Sequence, residues 1–240
     1  MDSSFLKGYK LRHMTVKEIR PVAEMLADTF FENSVYSSIF TVPNKRREGL
    51  KWLFERNLRL YLKMNCTRIV TAVDVDEVND ASEVIGTLSW VPPAGLGINF
   101  LDYIKVGLLL MPFRFGLDAM KRMLYYMNAN DSEVNASIGN QPHWYLGMVA
   151  VQKSCRGKGI GTAMIKEHLE NIIDAVTDVN ADGIKINHFP VLLTTQNESN
   201  VGLYSNLGFN VVMEESFGYG DAKFHSWCMM RRPNIPNQHS

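Results

Sequence analysis

A single α/β domain built on a mixed, mostly antiparallel sheet is the fold class this sequence predicts, on three observations. The chain has 240 residues, 46% of them hydrophobic. That is the size of one large domain or of a domain with an insertion, with enough apolar material for a sizeable core. Stretches of helical hydrophobic period alternate with short β-branched runs bounded by turn residues, several of them antiparallel-looking. Late in the chain, a glycine-rich turn leads from a β-run straight into an amphipathic helix.

Composition narrows the function classes. The 25 Lys and Arg balance the 25 Asp and Glu, so there is no global electrostatic footprint for nucleic acid. Cys66, Cys155 and Cys228 have no paired spacing, which argues against a disulfide framework and a structural zinc site and for a reducing compartment without a metal. The first fifteen residues carry Asp2, Lys7, Lys10 and Arg12 and no apolar run. The longest strongly apolar stretch, Val106 to Phe113, is too short to span a bilayer. A cytoplasmic protein is expected, a monomer or homodimer, with residues 232–240 as a flexible tail on one domain.

Residues 10–14 read as a strand, and Thr15 as the cap of a helix that turns Val16, Ile19, Val22, Ala23, Leu26 and Phe30 inward. A loop holding Asn33, Ser34, Ser37 and Pro43 follows. A second helix is expected from Lys45 to about Met64, burying Leu50, Leu53, Phe54, Leu58, Tyr61 and Leu62. Strands are expected over Thr67 to Val75 and Glu83 to Val91, split by an acidic turn around Asp76 to Asp80. Residues 94–142 read as a helical insertion between the third and fourth strands. Its two pieces run from Asn99 to Leu110 and from Phe113 to Met127, separated by Pro112 and ended by the polar run Asn128 to Asn140. Its apolar residues Leu101, Ile104, Leu108, Leu117, Met120 and Leu124 are expected to pack on the body. Lys105, Arg114, Lys121 and Arg122 beside them leave a membrane-surface alternative. A strand from His143 to Val151, a helix from Gly159 to Val176, a strand from Pro190 to Thr195, a short helix from Glu198 to Leu207 and closing strands Phe209 to Phe217 and Lys223 to Met230 complete the chain.

The most informative stretch is Val149-Ala-Val-Gln-Lys-Ser-Cys-Arg-Gly-Lys-Gly-Ile-Gly-Thr162. Glycines let a backbone approach its ligand, successive N–H groups point outward, and a helix start carries partial positive charge, so a pyrophosphate is the natural guest. Arg156 and Lys158 add full charges. A nucleotide P-loop needs Ser or Thr after its Lys, and Gly159 stands there instead. A dinucleotide loop beginning at Gly157 needs Gly or Ala where Thr162 stands, and it belongs near the first strand of its unit. A ligand-free turn explains one glycine better than three alternating ones beside two cations.

Arg156-Gly-Lys-Gly-Ile-Gly161 resembles the Arg/Gln-x-x-Gly-x-Gly/Ala signature of the GNAT superfamily of acetyl-CoA-dependent N-acetyltransferases. His143-Trp-Tyr-Leu, the run Asn197 to Phe209, Trp227-Cys-Met and Phe30 to Pro43 resemble its puromycin N-acetyltransferase branch. The resemblance implies a mostly antiparallel sheet splayed between strands 4 and 5, with acetyl-CoA wedged into the splay. It also implies direct attack by an amine in a ternary complex, with no acyl-enzyme. In that scheme the backbone of Arg156, Gly157, Lys158, Gly159, Ile160 and Gly161, with Thr162, holds the pyrophosphate. Main-chain groups of Met148, Val149 and Val151 pair with the pantetheine arm, and a backbone N–H near Met148 or Val149 faces the oxyanion. Asn197 matches the family asparagine that bonds the pantetheine arm; a buried, satisfied loop asparagine is the other reading. Tyr204 matches a tyrosine near the CoA sulfur, where a phenol protonates the thiolate. Its structural alternative is a core tyrosine packed with Val201 and Leu207.

The base remains open among Glu32, His143, Tyr145, Glu214 and His225. Cys155 beside the turn has no sign of a partnered histidine and is set aside as a nucleophile. The expected function is acetyl transfer to a small-molecule amine. Acetylation of a protein N-terminus or lysine is a second reading. A non-catalytic acyl-CoA-binding module is a third, for which loss of Tyr204 or of the glycines would have been the sign.

Overall fold

The computed structural model describes residues 8–72, 83–173 and 189–233. Strands β1 (Tyr9–His13), β2 (Thr67–Ala72), β3 (Val84–Val91), β4 (Trp144–Val151), β5 (Val191–Thr195), β6 (Asn210–Tyr219) and β7 (Ala222–Arg231) form one sheet in the order β1-β2-β3-β4-β5-β7-β6. The pairings are antiparallel except for β4 with β5. A parallel neighbour requires a crossover, which includes helix α7 (Ile160–His168). Ladder pairing of β4 with β5 is confined to Trp144↔Val191 and Tyr145↔Leu192. Both strands continue beyond these pairs, so their C-terminal ends part. This is the splay expected between the fourth and fifth strands.

Side chains alternate between the faces of a sheet, and each face here builds its own core. On one side lie α1 (Ile19–Thr29), α2 (Ser34–Ile39), α3 (Pro43–Leu62), α5 (Met111–Phe115) and α6 (Leu117–Ile138). Leu26, Leu50, Phe54 and Leu58 from this side pack with Ile69 and Ala150 of the sheet. On the other lie α7 and α8 (Glu198–Ser205), where Ile160, Met164, Ile165 and Tyr204 pack with Leu88, Leu146, Leu193 and Met229. The central strand β3 is buried from Val84 to Trp90 because it is covered on both faces.

The segment between β3 and β4 is helical, as expected, and includes α4 (Phe100–Lys105) as well as α5 and α6, but several details differ from the sequence reading. The first helix opens with a 3-10 turn, Val16–Glu18, fastened where the Glu18 carboxylate accepts from the Thr15 N–H at 2.7 Å and its hydroxyl at 2.6 Å. That turn rotates Val16 outward, to 68% exposure. The expected loop at Asn33 to Ser37 is helix α2, because Asn33 Oδ1 accepts from the Val35 and Tyr36 N–H groups at 3.1 and 3.3 Å and supplies the cap. The polar run after Met127 does not end its helix, and α6 continues to Ile138. The breaks come at Gly107 and Gly116, with φ of 77° and 89°. Pro112 sits in the first turn of α5, where its missing N–H costs nothing.

Four of the six apolar residues expected to pack from this segment do not. Leu101, Ile104, Leu117 and Leu124 are 59%, 46%, 65% and 45% exposed, whereas Leu108 is buried and Met120 packs against the core. No helix of the described residues is long and apolar enough to cross a membrane. The acidic turn at 76–80, the strand end at 73–75, the helix end at 174–176 and tail residues 234–240 lie outside the described residues.

Candidate active site

Two residues of β4, Met148 and Val149, stand opposite Leu88 alone, since the ladder steps from Thr87↔Ala150 to Ser89↔Gly147. This is a β-bulge, and it puts Met148 at φ 52°, in the left-handed region, a strained conformation for a side chain other than Gly, Asn or Asp. Bulges re-aim backbone groups out of the ladder. This one lies just past Tyr145, on the stretch of β4 that β5 has left unpaired.

From the bulge, β4 runs through Val151 into the glycine turn. Gly157 and Gly159 adopt φ of 76° and 75°, and a Cβ at either would meet no atom within 4 Å, so the glycines serve the backbone path and leave open space before it. Gly159 caps α7, whose first backbone bond is from Ala163 N–H to Gly159 C=O at 2.9 Å. The N–H groups of Ile160, Gly161 and Thr162 thus have no intrahelical acceptor, and the helix start adds partial positive charge. Ile160 anchors the turn by burying its side chain at 2% exposure. Lys158 is exposed. Arg156 braces the turn instead: its Nε donates to the Val151 carbonyl at 3.0 Å and its Nη2 to Thr29 Oγ1 of α1 at 3.2 Å. A cleft of about 1110 Å³ lies alongside, between α1 and the turn, and Arg156 and the base candidate Glu32 are among the residues that line it.

Asn197 is exposed rather than buried. Its Oδ1 caps α8, accepting from Ser199 N–H at 3.1 Å and from Ser199 Oγ at 2.9 Å. Tyr204 is 8% exposed and packs edge-on against Phe209 at 5.9 Å, in the same cluster as Val149, Val151 and Ile160. Burial pushes its phenol up to about 12, and Tyr145 adds to the shift.

Tyr145 marks a second feature, a cluster of tyrosines on the other face. Its Oη lies 2.8 Å from Thr194 Oγ1, and Thr194 donates to Asn130 Oδ1 of α6 at 2.8 Å. Tyr36 of α2, Tyr61 of α3 and Tyr126 of α6 are half-buried, yet burial raises all three phenols, and Tyr145 bears electrostatically on each. Tyr145 also bears electrostatically on Tyr204. Burial, opposed by the bond to Thr194, pushes Tyr145 itself up to about 12.

The remaining base candidates are not brought together. Glu32 is 86% exposed, near Arg46, and the His143 ring contacts the Gln141 carbonyl at 2.9 Å. His225 and Glu214 pair with each other at 2.8 Å, with Ser216 on the second ring nitrogen at 2.8 Å. Alternation along β7 places His225 on the face opposite Ser226, which bonds α6. Cys155 is buried and free. No group of His, Cys, Asp or Glu able to hold a metal occurs among the described residues.

Sequence reading missed Glu133 of α6, which is 2% exposed. It lies on one helical stripe with Tyr126, Asn130 and Ser137. That periodicity inside the polar run was the available signal.

Residues 124–211 match the family described as acetyltransferase (GNAT) domain. The fold is similar to that of the histone acetyltransferase HPA2 and related acetyltransferase of Corynebacterium glutamicum, at 17% identity over 95% of this chain and 98% of that one, TM-score 0.57. It is also similar to arylalkylamine N-acetyltransferase 2 of Aedes aegypti, at 13% identity over 94% and 99%, TM-score 0.54. An agmatine N-acetyltransferase variant in its apo form matches at 9% identity over 94% and 99%, TM-score 0.55. The matched stretch runs from within α6 through the bulged strand, the glycine turn and Tyr204 to the start of β6.

Proposed function

We propose that this protein is an acetyl-CoA-dependent N-acetyltransferase that moves the acetyl group to a small-molecule amine by direct attack in a ternary complex. The observation that carries the reading is the juxtaposition, along one strand, of the Met148–Val149 bulge, the parting of β4 from β5, and the glycine turn at the head of α7. The N–H groups from Gly157 to Thr162 hold the pyrophosphate, with Lys158 as the cation and Arg156 as the brace. Backbone groups of Met148, Val149 and Val151 take the pantetheine arm, and a bulge N–H receives the oxyanion. Asn197, while capping α8, offers its amide N–H group to the same arm. Tyr204 protonates the departing thiolate.

A small-molecule acceptor is supported by the cluster of half-buried tyrosines on the far side of the splay, and by the names of two proteins of similar fold, which specify an arylalkylamine and agmatine. The sequence resemblance to the puromycin branch points the same way. The buried, unpaired Cys66, Cys155 and Cys228 fit a reducing, cytoplasmic setting. The test is thiol release from acetyl-CoA with a panel of phenethylamine, agmatine and a peptide with a free N-terminus, with mass spectrometry of the products. Acetylation of at least one small amine in preference to the peptide is expected. Acetylation of the peptide alone would move the assignment to protein acetylation, and no release with any amine would leave a binding module.

A further inference from the structure

Glu133 is the one buried Asp or Glu among the described residues. Its Oε2 accepts from Ser226 Oγ of β7 at 2.9 Å, and its Oε1 has no partner. Ser226 in turn accepts from Gln196 Nε2 at 3.2 Å, and Gln196 Oε1 accepts from Asn33 Nδ2 at 3.5 Å. The carboxyl therefore ends a polar chain that runs from the start of α2, past the open end of β5, to β7. An unsatisfied carboxyl oxygen in the interior is a cost to folding. The surrounding ionisable groups are Tyr126 on the same helix, Tyr145 of β4, Cys228 and His225 of β7, and Glu215 of β6. Tyr36 of α2 bears electrostatically on Tyr126. Tyr204 stands on the far side of the splay, within electrostatic reach of Tyr145.

We propose that Glu133 takes the proton from the acceptor amine, and that the acceptor is a primary amine on an aromatic or otherwise apolar body that packs against the tyrosine cluster. This rests on the acetyl-transfer reading given above. The ring faces suit both an ammonium and its apolar body, and the unpaired Oε1 supplies the acceptor for its N–H. The amine enters as an ammonium, and the Glu133 carboxylate takes one proton and frees the lone pair. The C–N bond then forms and the C–S bond breaks. Tyr204 delivers its proton to the departing sulfur, the second amine proton passes through water to the phenolate so formed, and the proton on Glu133 passes to water at turnover. Base and acid thus act from opposite sides of the gap between β4 and β5. Burial raises the Glu133 carboxyl, the Ser226 hydrogen bond and His225 oppose that, and Glu215 adds to it. A carboxyl raised toward neutrality is a better proton acceptor for an amine than an ordinary one.

The experiment compares the full chain with its Glu133→Gln and Ser226→Ala variants, using phenethylamine and acetyl-CoA across the pH range. Wild-type kcat/KM is expected to fall as pH drops through the Glu133 pKa. Glu133→Gln should lower it by about 10²- to 10⁴-fold and abolish that acid limb, leaving acetyl-CoA affinity by calorimetry unchanged. Because the amide carries no buried charge, the variant should melt no lower than wild type. Ser226→Ala removes a bond that favours the charged form, so its acid limb should move to higher pH. That shift tests the proposal even if Glu133→Gln fails to fold. Full turnover in Glu133→Gln, or an unmoved limb in Ser226→Ala, overturns the role of Glu133 while sparing acetyl transfer. Wild-type turnover with agmatine or peptide but not phenethylamine overturns the apolar-amine assignment. No wild-type turnover with any amine overturns the acetyl-transfer reading itself.

Discussion

A phenol held at about 12 by burial keeps its proton across the neutral range, and it can give that proton up only to a strong base formed beside it. A thiolate leaving into a partly apolar space is such a base. Tyr204→Phe keeps the ring and its edge-on packing on Phe209, so stability and acetyl-CoA affinity should hold while turnover falls by about 10²- to 10⁴-fold. Steady-state thiol release beside a calorimetric titration checks this, and undiminished turnover would remove Tyr204 from the chemistry. The glycine turn was legible in the sequence because its left-handed backbone ties residue type to a fixed spacing, whereas Tyr204 was singled out only through the family resemblance. Asn197 was legible as a position, but its observed bonds are those of a helix cap. Glu133 was not, since a buried acid among Asn, Asp and Ser looks like solvent-facing polarity until the partner strand is in place.

Among the elements, the strands were the most legible, because alternation and β-branching mark them directly. Helices α2 and the second half of α6 were hidden. The first depends on one side-chain cap, and the second on polar residues that find bonds on the sheet, as Asn130 does with Thr194. Helix α7 makes a prediction of its own. His168 stacks on Trp90 at 4.2 Å, meets Trp144 edge-on, and leaves both ring nitrogens without a partner. Burial, helped by the charge of Arg68, lowers its pKa to about 3, against about 6.5 in an unfolded chain. The unfolded chain therefore binds the proton first. The stability contributed by the neutral ring is complete above about pH 6.5 and is lost at up to about 1.4 kcal/mol per pH unit as the pH falls from there toward 3. Urea unfolding at neutral and mildly acidic pH should show this loss in wild type and less of it in His168→Phe, which preserves the stack. An identical acid dependence in the variant would assign the loss to other groups.

At the scale of the whole molecule, antiparallel ladders join the sheet except where β4 and β5 pair in parallel and then part, and the candidate site is built on that gap. One side presents the glycine turn and Tyr204, the other the tyrosines and α6. The gap was expected only through the family resemblance, since no local pattern marks where two parallel strands cease to pair. The same limit applied to the helical segment between β3 and β4. Its existence was legible, but its outward apolar residues and its inward polar stripe were reversed, because tertiary placement decides which stripe of a helix meets the sheet. Calorimetric titration of acetyl-CoA into wild type, Gly159→Asp and Gly159→Asn tests the site most directly. Asp and Asn both tolerate the left-handed backbone at φ 75°, and only Asp sets a negative charge before the pyrophosphate. Micromolar binding by wild type, a moderate loss in Gly159→Asn and a near-complete loss in folded Gly159→Asp is the expected result. No binding by wild type, or undiminished affinity in folded Gly159→Asp, contradicts it.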